Sequence, residues 1–339
     1  MNTRNAKYPW SALLVAILLT GTELLFGGGR AAAAPAASRW GADYFPNVPL
    51  VNQDGQTLHF YDDVIKGKVV ALNFIFTSCE DSCPMETAKL RQVQEVLGDR
   101  VGRDVFMYSI TIDPARDTPA ALKKYAEKFH VKPGWQFLTG TKADINLLRT
   151  KLGLFREQIP EEDLGDHNLS LIVGNEATGQ WMKRSPFDNP KILARVLGDQ
   201  LHNFAVRNVA MKSYAEAKPL PAFSRGEYLF RGRCSSCHSI GGGDSMGPDL
   251  LGVVAQRDRA WLLRWLKRPD QMLAEQDPIA VALFAKFKEL PMPNLQLNDI
   301  EVTDLIEYLE SETNRITKVK SAAEPATAAR PTGTAEGGG

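Results

Sequence analysis

The sequence predicts two domains of different class, an α/β domain followed by an all-α domain. Three observations carry this. The apolar run Val69–Phe76, a helical segment Met85–Leu97 and a second apolar run Val105–Ile112 read as strand, helix, strand. From Ser224 onward the patterns are helical, as in Ser224–Arg233 and in Asp304–Glu312, where Leu305, Tyr308 and Leu309 share one face. The four cysteines fall in two tight pairs, Cys79/Cys83 and Cys234/Cys237, one in each half of the 339-residue chain.

Composition narrows the function. Lys plus Arg equals Asp plus Glu, 40 each, which argues against a nucleic-acid partner. Sparse, paired cysteines point to metal, cofactor or redox work rather than to a disulfide scaffold. At the N-terminus, Arg4 and Lys7 precede the apolar run Ala12–Leu19 and the small-residue stretch Ala31–Ala37. Residues 1–37 thus have the layout of an export signal. The segment Trp10–Phe26 can alternatively serve as an uncleaved anchor. Either way the expected location is periplasmic or extracytoplasmic, soluble after cleavage or tethered to the cytoplasmic membrane.

The elements follow in order. Asn52-Gln-Asp-Gly55 marks the turn of an N-terminal hairpin within Asp43–Leu58. The strand Val69–Phe76 and the helix Met85–Leu97 come next, then the strand Val105–Ile112. Thr118 caps a helix with Pro119 at its first position, running to about Phe129. A short helix spans Ala143–Leu152. Leu169–Val173 and Gln180–Lys183 form a hairpin around Asn175–Gly179, and a helix from Pro190 to about Val206 closes the domain. A β-α-β start with a later hairpin and a last helix matches a thioredoxin-like sandwich.

Cys79 and Cys83 lie where the buried strand hands over to the helix. A helix N-terminus favours negative charge and therefore thiolate. On a regular helix, positions i and i+4 hold their Cβ atoms ~5–6 Å apart, whereas a disulfide wants about 3.5–4.5 Å. The pair closes only if the turn bends, while one metal ion between the sulfurs tolerates the wider gap. A structural disulfide is the plainer alternative. His167, behind Asp166 at the start of a strand, is placed to reach the thiols, and it reads equally as a solvent-facing turn histidine.

Cys79-x-x-x-Cys83-Pro84, the loop Asp113-Pro-x-x-Asp117-Thr-Pro119 and Asp166-His167-Asn-Leu-Ser-Leu-Ile together resemble the Sco/SenC family. The resemblance assigns residues 40–207 to a thioredoxin-like copper-binding domain. It implies copper held by Cys79, Cys83 and His167, and a role in building the dinuclear copper centre of cytochrome c oxidase. Two thiolates and an imidazole also suit Cu(I). For Asp113 and Asp117 a turn and helix-cap role is the simpler account.

Residues 208–222, with Lys218-Pro-Leu-Pro221, read as a linker that leaves the pose of the domains open. Cys234-Ser-Ser-Cys237-His238 is the attachment signal of a c-type haem: two thiols add to the vinyl groups and the adjacent imidazole ligates iron. Met292, between Pro291 and Pro293 in a loop, is the candidate for the other axial position, and a thioether there raises the potential. Met246 is the rival, but it follows His238 closely in sequence, which gives it a short reach around the haem edge. Met272 reads as helix packing, and Trp261 and Trp265 as haem wall or core. Residues 223–316 resemble a class I cytochrome c domain, which rests on the haem motif, Gly247-Pro248-Asp249-Leu250, Pro291-Met292-Pro293 and Asp304–Leu309. Residues 317–339, rich in Ala, Pro, Thr and Gly, read as a disordered tail.

The reading that follows is an exported protein with one copper ion and one covalent haem c. It serves copper delivery or redox maintenance in oxidase assembly, with electron transfer between the haem and the copper/thiol site. The expected partners are the copper-receiving subunit of cytochrome c oxidase or another respiratory-chain component, and an electron donor or acceptor. The rival is a thiol-disulfide reductase in which Cys79 and Cys83 are catalytic and the cytochrome domain feeds them. A reductase needs only the two thiols, whereas a tight Cu(I) site gains from His167.

Overall fold

The computed structural model describes residues 40–79, 82–155, 169–202 and 222–323. Its first domain holds seven strands among these residues: β1 (Pro49–Asn52), β2 (Thr57–His59), β3 (Val69–Ile75), β4 (Val105–Thr111), β5 (Trp135–Thr139), β6 (Leu171–Asn175) and β7 (Gln180–Arg184). They form one sheet in the order β2-β1-β5-β4-β3-β6-β7. Strands β3, β4 and β5 run parallel, and β1, β6 and β7 pair antiparallel with their neighbours β5, β3 and β6. All of β3 is buried, as its unbroken apolar run requires of a strand covered on both faces.

Helix α1 (Ser82–Leu97) joins β3 to β4, α2 (Pro119–Lys128) joins β4 to β5, and α3 (Lys142–Lys151) follows β5. The Thr118 hydroxyl accepts from the Ala121 N–H and the Thr141 hydroxyl from the Asp144 N–H, so both helices start on a side-chain cap. Helix α4 (Pro190–Arg195) widens into a π-helical turn through Leu201. This is the thioredoxin-like arrangement.

Strand β5 is not among the elements expected from the sequence. Its five residues, Trp-Gln-Phe-Leu-Thr, form a short apolar run straight after the turn at Pro133-Gly134, and pairing with both β4 and β1 settles them as a strand. Helix α1 also starts at Ser82 rather than Met85, so Cys83 belongs to it.

The second domain is helical. Ser224 caps α5 (Arg225–Leu229), which widens into a π-helical turn ending at Cys234. Then come α6 (Val253–Gln256), α7 (Arg259–Lys267), α8 (Pro269–Ala274), α9 (Pro278–Lys286) and α10 (Asp299–Ala323). Helices α5 and α10 cross closely at Gly226, where a Cβ would come within 2.0 Å of the Asp304 carbonyl oxygen. Phe230, Leu262, Leu266, Val302, Leu305, Ile306 and Leu309 make the core. Met272 is buried within α8, as packing predicts. Helix α10 runs to Ala323, so residues 317–323 are helical rather than part of a disordered tail. Lys318, Lys320, Ala322 and Ala323 in that stretch are good helix formers and simply extend the preceding turns.

The expectations for residues 1–37, for His167, for 208–221 of the linker and for the remainder of the tail lie outside the described residues. Among the described residues no helix is long and apolar enough to cross a membrane.

Candidate functional site

The first site grows from the end of β3. The Cys79 N–H donates to the Phe76 carbonyl at 3.2 Å, closing a tight turn. The chain then enters α1, and the Cys83 N–H donates to Cys79 Sγ at 3.4 Å. The sulfur stands where a serine or aspartate oxygen stands in an ordinary helix cap. The two cysteines are thus four residues apart but not on one helix, because the bend folds Cys79 over the first turn. Cys79 is half-buried and Cys83 fully buried, and no disulfide joins them.

The hydrogen bond that Cys83 shares with Cys79, together with burial, pushes the Cys83 thiol well above its ordinary pKa. This runs against the expectation that the helix N-terminus lowers it: the neighbouring sulfur and then desolvation favour the protonated thiol. Metal coordination would reverse the balance, since a coordinated thiol is deprotonated outright. Among the described residues no cluster of three His, Cys, Asp or Glu side chains forms a metal cage. His167 lies outside those residues.

Two supports were not legible in the motif itself. Asp117 is fully buried and accepts from the Thr77 N–H at 3.1 Å, from the Thr77 hydroxyl and from the Thr111 hydroxyl. It ties the end of β4 to the turn that carries Cys79, so its role is larger than the turn or cap role expected. Asp113 keeps a local role: its N–H donates to the Thr111 hydroxyl at 2.9 Å and its carboxylate pairs with Arg116 at 2.8 Å.

Glu86 is the second support. It is fully buried, its Oε1 accepts from Asn73 Nδ2 at 3.0 Å, and burial pushes its pKa up to about 8. The chain of hydrogen bonds continues from the Ser109 hydroxyl to Asn73 Oδ1 at 2.7 Å and from Trp135 Nε1 to the Ser109 hydroxyl at 3.0 Å. Spacing gives a signal for Glu86: three residues after the buried Cys83, it falls on the same inward face of α1.

The second site is the haem motif. His238 Nδ1 lies 2.9 Å from the Pro248 carbonyl oxygen. With the proton on Nδ1, the ring donates there and Nε2 keeps its lone pair for a metal. Gly247 makes this packing possible, since a Cβ there would come within 2.5 Å of the ring. Withdrawal from bulk water lowers the His238 pKa, which favours the neutral, ligating form. Burial pushes the Cys234 thiol up to about 12 and also raises Cys237.

Cys234, Cys237, His238 and Met292 all line one cavity of about 920 Å³, walled by Trp261, Trp265 and Phe284. The two tryptophans stack with ring centroids 5.4 Å apart. The volume is at the upper end of the ~300–1,000 Å³ usual for cofactor sites. An apolar cavity with two thiols, an oriented imidazole and a thioether fits a c-type haem. Cys234 and Cys237 would hold it covalently, and His238 and Met292 would face its iron. Met246 also lines the cavity, but it is buried among first-domain core residues, whereas Met292 packs on the second-domain core.

The same cavity reaches the first domain. Thr77, Ser78, Cys79, Pro84, Tyr125, Lys128 and Phe129 belong to its wall. Helix α1 also touches the haem-attachment segment: Lys89 Nζ donates to the Arg231 carbonyl at 3.5 Å and Gln92 Nε2 to the Ser235 carbonyl at 3.1 Å. Lys89 is buried, and desolvation lowers its pKa. The two domains belong to one compact unit. Of the sequence-predicted residues, Cys79, Cys234, Cys237, His238 and Met292 therefore share one cavity, with Cys83 behind Cys79.

The SCO1/SenC family model matches residues 37–198, and the cytochrome c model matches residues 223–313. An SCO2-like protein of Rickettsia conorii is 33% identical over 157 residues, covering 44% of this chain and 74% of that protein. The chain belongs to the SCO1/SenC family. Its second part is a cytochrome c domain. A Stutzerimonas stutzeri relative, provisionally named a copper-binding protein, is 34% identical over 163 residues, 47% of this Sco protein and 77% of the relative. The solved cytochrome c domain of a Pseudomonas putida protein is 56% identical, with a TM-score of 0.27, covering 28% of this chain and 94% of that domain.

Proposed function

We propose that this Sco protein is an exported copper-handling factor for cytochrome c oxidase assembly whose haem exchanges electrons with the copper/thiol site. The observation that carries the proposal is the shared cavity: Cys79 forms part of the same wall system as Cys234, Cys237 and His238. Helix α1 strengthens it, because it carries Cys83 in its first turn and meets the haem-attachment segment at Lys89 and Gln92. Six to nine residues of helix rise only about 9–14 Å, a short span for electron exchange.

Copper is cargo here. Cys79 and Cys83 offer the soft sulfur donors that suit Cu(I), and His167 supplies the imidazole on the family resemblance. The provisional name of the Stutzerimonas relative agrees. Haem, when bound, supplies one-electron chemistry, which matches the step from Cu(II) to Cu(I): one electron leaves the haem iron and one arrives at copper. Reducing a Cys79–Cys83 disulfide takes two electrons and two protons, so a single haem serves it less directly. Export is supported by the layout of residues 1–37 and by the haem-attachment motif Cys234-Ser-Ser-Cys237-His238. The copper-receiving subunit of the oxidase is the partner that the family's role points to.

The thiol-reductase reading has one observation in its favour. The half-buried Cys79 beside a fully buried, hydrogen-bonded Cys83 is the asymmetry expected of an attacking and a resolving thiol. Rapid anaerobic mixing of haem-reduced, copper-free protein with Cu(II) separates the two. The copper reading expects fast haem oxidation, one haem per copper, at a rate independent of protein concentration, lost in the Cys79→Ser, Cys83→Ser double variant. An unchanged rate in that variant, or a rate proportional to protein concentration, excludes it.

A further inference from the structure

Three observations place the cytochrome domain on the face of the first domain that carries Cys79. On α1, Gln92 Nε2 donates to the carbonyl of Ser235, inside the haem-attachment segment, at 3.1 Å. On α2, Lys128 Nζ donates to the Glu289 carbonyl at 3.0 Å, and Lys124 Nζ lies 3.3 Å from the Glu289 carboxylate. Between these polar edges, Met246 is buried in the first-domain core, and Cys237 and Leu290 pack against it.

The second-domain edge is shaped for this contact. Lys288 and Glu289 both hold φ at 56°, in the left-handed region that residues with a Cβ avoid. Adjacent strained residues persist where their surroundings hold them. Here the surroundings include α2, since Lys288 Nζ also donates to the Glu127 carbonyl at 3.5 Å.

We propose that the α1 and α2 face around Cys79 is an interaction surface whose resident occupant is the chain's own cytochrome domain. A protein that acts on Cys79 competes with that domain for the face. With Cys237 and Met246 sharing the cavity into which Cys79 opens, a docked partner of protein size has no room there. The α2 edge of the contact is held loosely. Lys124 and Glu289 are 69% and 57% exposed, and pairs this exposed are weak and screened by salt. The inference concerns access alone and stands apart from what Cys79 carries.

The test uses the full-length, haem-loaded, copper-free, reduced protein and a bulky maleimide, with labelling at Cys79 followed peptide by peptide. Cys234 and Cys237 are closed to the reagent as haem thioethers. Glu289→Lys opposes Lys124 and Lys128, and Gln92→Glu sets a carboxylate against the Ser235 carbonyl. Each is expected to speed labelling of Cys79 by about threefold or more, the scale of one exposed pair lost and reversed. The swap Lys124→Glu, Glu289→Lys reverses the one close charge pair and leaves Lys128 on the backbone carbonyl of that residue, and it is expected to return the rate to within about twofold of the parent. Restored protection in that double variant cannot arise from unfolding. Labelling that is equally fast in the parent, in both loosened variants and in the swap overturns the proposal. So does a swap variant as reactive as Glu289→Lys. Because no copper or electron acceptor is present, neither result bears on copper handling.

Discussion

Asp117 accepts hydrogen bonds from both the backbone N–H and the hydroxyl of Thr77, two residues ahead of Cys79. The same carboxylate also accepts from the Thr111 hydroxyl at the end of β4. One buried carboxylate thus holds the cysteine turn against the sheet. Asp117→Asn keeps the size but replaces one accepting oxygen by a donor that faces other donors. The variant is expected to lose about 1–3 kcal/mol of stability in urea unfolding and to bind Cu(I) more weakly in competition titrations. A variant matching the parent in both measurements would show that the carboxylate does not hold the turn.

Glu86 gives stability a pH dependence of definite sign. Burial raises its folded pKa to about 8, above the ordinary carboxylate value, and Oε2 has no hydrogen-bond partner among the described residues. The folded state therefore keeps a proton that the unfolded state has released. The stabilisation is fully present below the unfolded pKa and is lost as pH rises through about 8. Between these limits the copper-free protein is expected to lose up to about 1.4 kcal/mol per pH unit through this group. Glu86→Gln is expected to flatten the slope. Urea unfolding of both proteins from pH 5 to 9 checks it, and identical slopes would assign the dependence elsewhere.

Much of this was legible in the chain, for reasons that differ by residue. The run Val69–Ile75 announced a strand because a strand covered on both faces has no polar side to show. Thr118-Pro119 announced a helix start because cap and first-turn chemistry are local. Cys234, Cys237 and His238 stood out because haem attachment asks for those atoms at that spacing, and the structure sets all three on one cavity. Asp117 was not, because what it does depends on Thr77, forty residues away, lying beside it. Nor was Lys89, whose partner is the Arg231 carbonyl of the other domain. A linker sequence sets reach but not pose, so the docking of the two domains appears only when α1 and α2 are seen against Ser235 and Glu289.

The two methionines of the cavity should separate by spectrum. Met292 sits in an irregular loop between two prolines and packs on the second-domain core. Met292→Ala is expected to abolish the long-wavelength band of methionine-ligated ferric haem and to lower the reduction potential, since a thioether ligand raises it. Met246→Ala is expected to keep that band. Its cost should fall on stability, about 2–4 kcal/mol for a large-to-small change at a buried site. A band lost in the Met246 variant and retained in the Met292 variant would reverse the axial assignment.

Copper binding tests the first site one ligand at a time. Cys79 Sγ accepts the Cys83 N–H, and the two thiols also share a hydrogen bond, so the fold itself brings the sulfurs together. Such preorganisation predicts that both are needed and that neither replaces the other. Cys79→Ser and Cys83→Ser should each abolish tight Cu(I) binding, because a hard hydroxyl is a poor ligand for a soft ion. His167→Ala should leave a weaker two-sulfur site, with affinity lower by about ten- to a hundredfold, an estimate taken from the cost of losing a supporting group at a metal centre. The measurement is copper and haem iron per chain after dialysis against a Cu(I) chelator of graded strength. Haem content serves as the internal control for folding, since Cys234, Cys237 and His238 lie in the other domain. Equal copper retention in all three variants, at full haem content, would remove copper from Cys79 and Cys83 and leave the dithiol to redox chemistry alone.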